Sequence, residues 1–154
     1  MTKNNFIGQH DNNAFSDDDD FLKKYAQEKF NNQMKQIVRE FHNEDELIEL
    51  CKNSNSKLFI HFYSDNFTKC RNLNILLPKV ATRLREVDFI KIHVKNCPKI
   101  VEILKIGVLP FMGLFANGMF VEGLVGFEKL GNRSSVTSDE IEKVIREKLI
   151  DFSD

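Results

Sequence analysis

The chain has 154 residues, 42% of them hydrophobic, with 22 basic and 23 acidic side chains and a net charge of −1. That length suits one domain plus an extra segment, and so even a charge balance argues against the clustered basic face of a nucleic-acid surface. No run is long and apolar enough to cross a bilayer, the first residues hold no apolar leader core, and Cys51, Cys70 and Cys97 are too widely spaced for a disulfide framework or a zinc site, so a reduced, cytoplasmic protein is expected.

Residues 1–17 are polar and rich in Asn and Asp, and are predicted to be a disordered tail. Asp17 to Asp20 then precede a run with Phe21, Leu22, Tyr25, Ala26, Phe30 and Met34 at helical spacing. This predicts an amphipathic helix over 18–35, its leading acids favoured by the unpaired N–H groups of a helix start. The stripe must lie on the domain, on a partner or on a second copy. Phe21, Tyr25, Phe30 and Met34 are the candidate partner contacts, being side-chain types enriched at interfaces.

The domain is predicted to occupy 36–154. Residues 37–41 alternate as a short edge strand would, although Ile37, Val38 and Phe41 would also continue a helical stripe. Asn43 with Glu46 reads as a capping box opening a helix over 44–53, with Leu47, Ile48, Leu50 and Cys51 inward. Residues 57–63 are apolar on both faces, the mark of a central strand covered on both sides. The next helix carries Cys70, Leu73, Leu77, Val80 and Leu84, a buried stripe, with Pro78 inside it. Residues 88–94 form another strand. Pro98 opens a short helix, with Ile100, Val101, Ile103 and Leu104 inward and Gly107 at its end. Residues 108–115 form a strand, Asn117-Gly118 a hairpin turn, and 120–125 its antiparallel partner, where Gly123 and Gly126 mark a bulge or a close backbone approach. After a loop over 127–135, Thr137 and Glu140 make a second capping box. The last helix runs to about residue 150, with Ile141, Val144, Ile145, Leu149 and Ile150 inward. The predicted class is α/β: a mixed central sheet with helices on both faces, preceded by an N-terminal helix.

That order resembles the thioredoxin fold. Leu58 to Tyr63 resembles the strand before the redox loop, Cys70-Arg71 the second redox cysteine with its basic neighbour, and Gly107-Val108-Leu109-Pro110 the approach to the family's cis proline. A narrower pattern, His61-Phe62-Tyr63-x-Asp65 followed by Cys70-Arg71, resembles the phosducin-like family. Val125-Gly126-Phe127-Glu128-Lys129-Leu130-Gly131-Asn132 is similar to its thioredoxin domain-containing protein nine branch. The resemblance implies a co-chaperone of the cytosolic chaperonin CCT/TRiC that modulates folding of actin and tubulin. Some relatives bind G-protein beta-gamma dimers; the short segment ahead of the domain argues against that partner here.

The resemblance also implies a former redox loop: Asp65, Phe67, Cys70 and Pro110. Dithiol exchange needs a nucleophilic thiol at the helix N-terminus, where exposed N–H groups lower its pKa; position 67 is phenylalanine. Cys70 lies a turn further in, on the buried stripe, and is read first as a core side chain and second as a redox or peroxide-sensing thiol. A cis Leu109–Pro110 bond is predicted, and Asp65 is given no catalytic role. His10, His42, His61 and His93 are scattered without metal spacing, and no Gly-rich phosphate loop occurs. No cofactor and no enzymatic activity are expected. The leading expectation is a binding module, against two alternatives: a thiol redox protein using Cys70, and a thioredoxin-like scaffold or dimerisation module.

Overall fold

The computed structural model describes residues 18–28, 37–127 and 135–151, and the chain divides into two units, Met1–Gln36 and Ile37–Asp154. In the first, residues 18–28 form a helix, α1. Phe21, Leu22 and Tyr25 are exposed on it, and Lys23 Nζ meets Asp19 Oδ2 at 3.3 Å one turn back. The predicted tail 1–17, the stripe residues Phe30 and Met34, and most of the loop 127–135 lie outside the described residues.

The second unit runs β1 (Val38–Phe41), α2 (Glu44–Asn53), β2 (Lys57–Tyr63), α3 (Thr68–Arg83), β3 (Val87–His93), a 3-10 turn (Val94–Asn96), α4 (Pro98–Ile103), β4 (Phe111–Ala116), β5 (Met119–Val125) and α5 (Ser138–Ile145), which passes into a π-turn (Arg146–Ile150). The strands form one sheet in the order β1-β3-β2-β4-β5. β1, β3 and β2 are parallel, and β4 and β5 are antiparallel to their neighbours. β2 lies at the centre, which explains why Leu58 to Tyr63 are all buried.

Alternation along the strands divides the interior in two. Phe59, Phe89, Met112, Leu114 and Leu124 pack with Leu73, Leu77 and Val80 of α3, Ile141 and Ile145 of α5 and Leu149 of the π-turn. On the other face Leu58, Ile60, Phe62, Ile90, Ile92 and Phe111 pack with Leu47 of α2 and Ile100 of α4. Burying each such large side chain contributes about 1.5–3 kcal/mol, and this is what pins the helices against the sheet.

The helix ends follow local chemistry in two cases and long-range chemistry in a third. Asn43 Oδ1 accepts from the N–H groups of Asp45 and Glu46 at the start of α2. Thr137 and Glu140 form the predicted reciprocal box at α5. At α4, however, Cys97 supplies no side-chain cap. Glu44, buried at the start of α2, reaches across instead: its Oε1 accepts from Lys99 N–H at 3.0 Å and Ile100 N–H at 3.1 Å.

Three expectations for this region are corrected. α4 is closed by Lys105, not Gly107. Lys105 takes a φ of +55°, and its N–H bonds to Glu102 O while Ile106 N–H bonds to Val101 O at 2.9 Å, the paired bonds of a Schellman end. Ile103 is 71% exposed rather than inward, since the closing turn draws in Leu104 and Ile106. β4 begins at Phe111 rather than Val108, because Pro110 has no N–H to enter a ladder; the Leu109–Pro110 bond is cis, as predicted.

At the hairpin Asn117 and Gly118 have φ of +54° and +79°, the two positive values of a type I′ turn. The β4–β5 register shifts between Leu114 and Phe115, so that Val121 is the extra residue of a bulge. Gly123 marks the close approach: a Cβ there would stand 2.4 Å from Phe111 Cζ.

Candidate functional site

The Phe62–Phe111 pair ends the β2–β4 ladder, so the chain leaving β2 and the chain approaching β4 meet at one end of the sheet. Gly126 N–H donates to Pro110 O at 2.7 Å, and Lys69 Nζ lies 5.4 Å from the centre of the Phe127 ring. Three segments thus share a rim: 64–69, 107–110 and 126–127.

The first segment is a braced turn. Ser64 is buried, its carbonyl accepts from Phe67 N–H at 3.3 Å, and its Oγ accepts from Asn66 N–H at 3.3 Å. Arg71 grips it from inside α3: Nη1 donates to Asp65 O at 2.5 Å and Nη2 to Thr68 Oγ1 at 2.9 Å. Phe67 is the N-cap residue of α3 and makes no capping bond, because a hydrocarbon ring offers no acceptor to the free N–H groups. Its ring is 50% exposed, and Val108 on the second segment is 55% exposed. The rim therefore shows water two apolar side chains. Asp65 is exposed beside them and Pro110 is buried.

Cys70 is fully buried on α3. Burial raises its thiol pKa above the ordinary value and Asp65 adds to the rise, while a backbone hydrogen bond from Ser64 and the charge of Arg71 oppose it. Burial also pushes Cys51 up to about 11 and Cys97 up to about 12. Thiolate is the nucleophilic form, so burial disfavours the reactive form at each of the three. Among the described residues, no three His, Cys, Asp or Glu side chains are grouped to hold a metal ion.

Behind the rim lies a polar cluster that residue spacing alone did not reveal. His61 and Tyr63 sit on the face of β2 covered by α3, and the parallel register sets Lys91 and His93 of β3 beside them. His61 Nδ1 is 2.8 Å from Asn74 Oδ1, while its buried Nε2 has no partner. Burial, with a smaller contribution from Lys91, lowers the imidazole pKa to about 3 against the opposing Asn74 bond. Tyr63 Oη donates to Glu40 Oε2 on β1, and Lys91 Nζ stands 4.0 Å from Glu40 Oε1. Burial first, then Glu40, pushes the Tyr63 hydroxyl well above its usual value. The signal available in the sequence was that His61 and Tyr63, and likewise Lys91 and His93, are polar breaks at alternate positions of otherwise apolar strands.

The candidate partner contacts of α1 are on the first unit, where Phe21 is 67% and Tyr25 56% exposed. An open hollow beside α5 is lined by Asp139, Glu142, Lys143, Arg146, Glu147 and Asp151 and contains none of the predicted site residues.

The thioredoxin family model matches residues 38–136. Phosducin-like protein 1 of Saccharomyces cerevisiae is 40% identical over 90 residues, covering 58% of this chain and 39% of that protein. Thioredoxin domain-containing protein 9 of Mus musculus is 33% identical over 104 residues, covering 68% of this chain and 46% of that protein. The chain thus spans less than half the length of these relatives. Among solved structures, oxidised mitochondrial thioredoxin 3 from Saccharomyces cerevisiae superposes with a TM-score of 0.58 at 23% identity, over 71% of this chain and 94% of that one. Thioredoxin NaTrxh from Nicotiana alata gives 0.59 at 22% identity, over 72% and 91%. At such identities the structural matches speak for the fold alone.

Proposed function

This chain belongs to the thioredoxin family, and on that premise we propose that it works as a non-catalytic, phosducin-like co-chaperone that binds the cytoplasmic chaperonin CCT/TRiC and modulates folding of actin or tubulin. One observation carries the non-catalytic part. At the N-cap of α3, where a thiol would gain its low pKa, stands the half-exposed ring of Phe67, and the nearby Cys70 is buried with its pKa raised. A loop of that make-up can contact a partner through apolar surface but has no exposed thiol at the helix start for dithiol exchange. The partner itself is inferred from kinship: relatives at 31–40% identity are phosducin-like proteins and thioredoxin domain-containing proteins 9. The contact surface is proposed to be the rim with Phe67 and Val108, together with Phe21 and Tyr25 of α1 and, from the sequence pattern alone, Phe30 and Met34.

The test is native affinity capture from a cytosolic extract with the full chain as bait, alongside a disulfide-reductase assay. Recovery of chaperonin subunits, reduced by the double substitution Phe67→Ala and Val108→Ala and with no reductase activity, is the expected result. Capture without any chaperonin subunit overturns the partner, and turnover of a disulfide substrate abolished by Cys70→Ser overturns the non-catalytic reading.

A further inference from the structure

We propose that His61 makes the seating of α3 on the sheet proton-sensitive: α3 lifts from β2 with uptake of one proton, so the rim carried by its first turn is firm at neutral pH and loosens in mild acid. The inference deepens the contact-surface reading by adding a regulation of that surface. It starts from the position of His61 in the central strand, with Lys91 opposite it on β3 and Met112 on β4. Neither strand can release it without breaking the sheet. Its hydrogen bond to another layer goes to Asn74 of α3.

A second proton on this ring would be badly placed. Nε2 is enclosed and meets no acceptor, and an imidazolium N–H buried without a partner carries a large desolvation cost. The surrounding groups do not compensate. On β2, Tyr63 is committed to Glu40; on β3, Lys91 adds positive charge and His93 faces the Tyr63 ring at 5.2 Å. β4 presents Met112, and α3 presents Asn74 and, one turn nearer its start, the neutral thiol of Cys70. On β1 the Glu40 carboxylate is engaged by Tyr63 and stands near Lys91.

Water and a proton must therefore arrive by displacement of the first turns of α3, the layer over His61 that is not hydrogen-bonded into the sheet, against the hold of Arg71 on the preceding turn. Its N-terminus has no side-chain cap, and the preceding residues Asp65, Asn66 and Phe67 are exposed. Local opening of such an element costs less than opening the sheet. The sign follows from the lowered pKa. The closed form is favoured above about pH 6.5, the value of a solvated histidine, and that preference is lost as pH falls toward about 3.

Amide hydrogen exchange on the full chain, corrected for intrinsic rates, tests this at about pH 7 and about pH 5. With one linked proton, the opening constant of α3 rises about 25-fold between those conditions. The expected result is that loss of protection in the first half of α3, while amides of β2, β3 and β4 hold theirs, and its disappearance in His61→Gln, which can still bond Asn74 but does not titrate. Parallel loss in α3 and the sheet overturns the proposal, as does persistence of the acid increment in His61→Gln. If that variant does not fold, ring NMR of the native protein decides: an imidazole that titrates above about pH 5 while α3 stays closed refutes the linkage. These outcomes are independent of chaperonin capture, so failure of either reading is visible without the other.

Discussion

Deleting the Glu44 side chain asks whether α4 is capped from a distant part of the chain. The helix spans only Pro98–Ile103, and Cys97 before it gives no capping bond. Glu44 Oε1 instead accepts from Lys99 N–H at 3.0 Å and Ile100 N–H at 3.1 Å, the second of these buried. Losing a cap costs about 0.5–2 kcal/mol, and a hydrogen bond to a charged group contributes about 1.5–3 kcal/mol. Ile100 N–H would be left dry in Glu44→Ala, whereas water can replace the partner at the more open Lys99. The expected loss is therefore about 2 kcal/mol, or roughly 5–8 °C in Tm for a domain of this size. Glu44→Gln keeps a carbonyl oxygen in the same place and should lose less than about 1 kcal/mol. Urea denaturation of the two variants, read as midpoints at unchanged slope, makes the comparison. Equal stabilities for the Ala and Gln variants, or an Ala variant within about 0.5 kcal/mol of the parent, would refute the distant cap.

Three further outcomes are expected. Gly123→Ala forces the Phe111 ring off the β5 backbone and should destabilise by about 1–3 kcal/mol; wild-type stability with the ring unmoved contradicts the 2.4 Å approach. Cys70 and Cys97 should react with a maleimide at neutral pH about 100-fold more slowly in the native protein than in denaturant, since both are buried with raised pKa values; mass spectrometry showing rapid native labelling counts against this. Phe67→Cys places a thiol at the N-cap, three residues before Cys70, and should give a protein that forms a 67–70 disulfide with mild oxidant and gains reductase activity; an inert variant would mean that more than position 67 separates this loop from catalysis.

Much of the scaffold could be read from local pattern because local physics decides it. A strand apolar on both faces, as at Leu58, Phe59, Ile60 and Phe62, has only the middle of a covered sheet to occupy. Asn117-Gly118 specifies its turn through two positive φ values, and Thr137 with Glu140 completes its box within one helical turn. The phosducin-like resemblance read from His61-Phe62-Tyr63 and the stretch after Val125 agrees with the relatives found at 31–40% identity. What escaped reading depends on contacts remote in sequence. Glu44 meets Lys99 and Ile100 across 55 and 56 positions, and the Glu40–Tyr63–Lys91 cluster exists only once three strands are in register. The end of α4 was misplaced for another reason: glycine is the usual left-handed terminator, and here the tertiary fit of Leu104 and Ile106 holds a lysine in that conformation.

The bulge at Val121 bears on how this protein behaves at high concentration. Among the described residues β5 bonds to β4 on one side only, and Met119, Phe120 and Val121 are exposed along it, a strand composition that invites another molecule's backbone to dock alongside. By contrast β1, at the other margin, is four residues long and shows Arg39 and Glu40. The displaced register twists the β5 margin away from the flatness that stacking of molecules requires. The bulge thus supplements Glu122, the one charged side chain along β5, which pairs with Lys148 at 3.2 Å, and a variant that removes the extra residue would trade a tidier ladder for a stickier molecule.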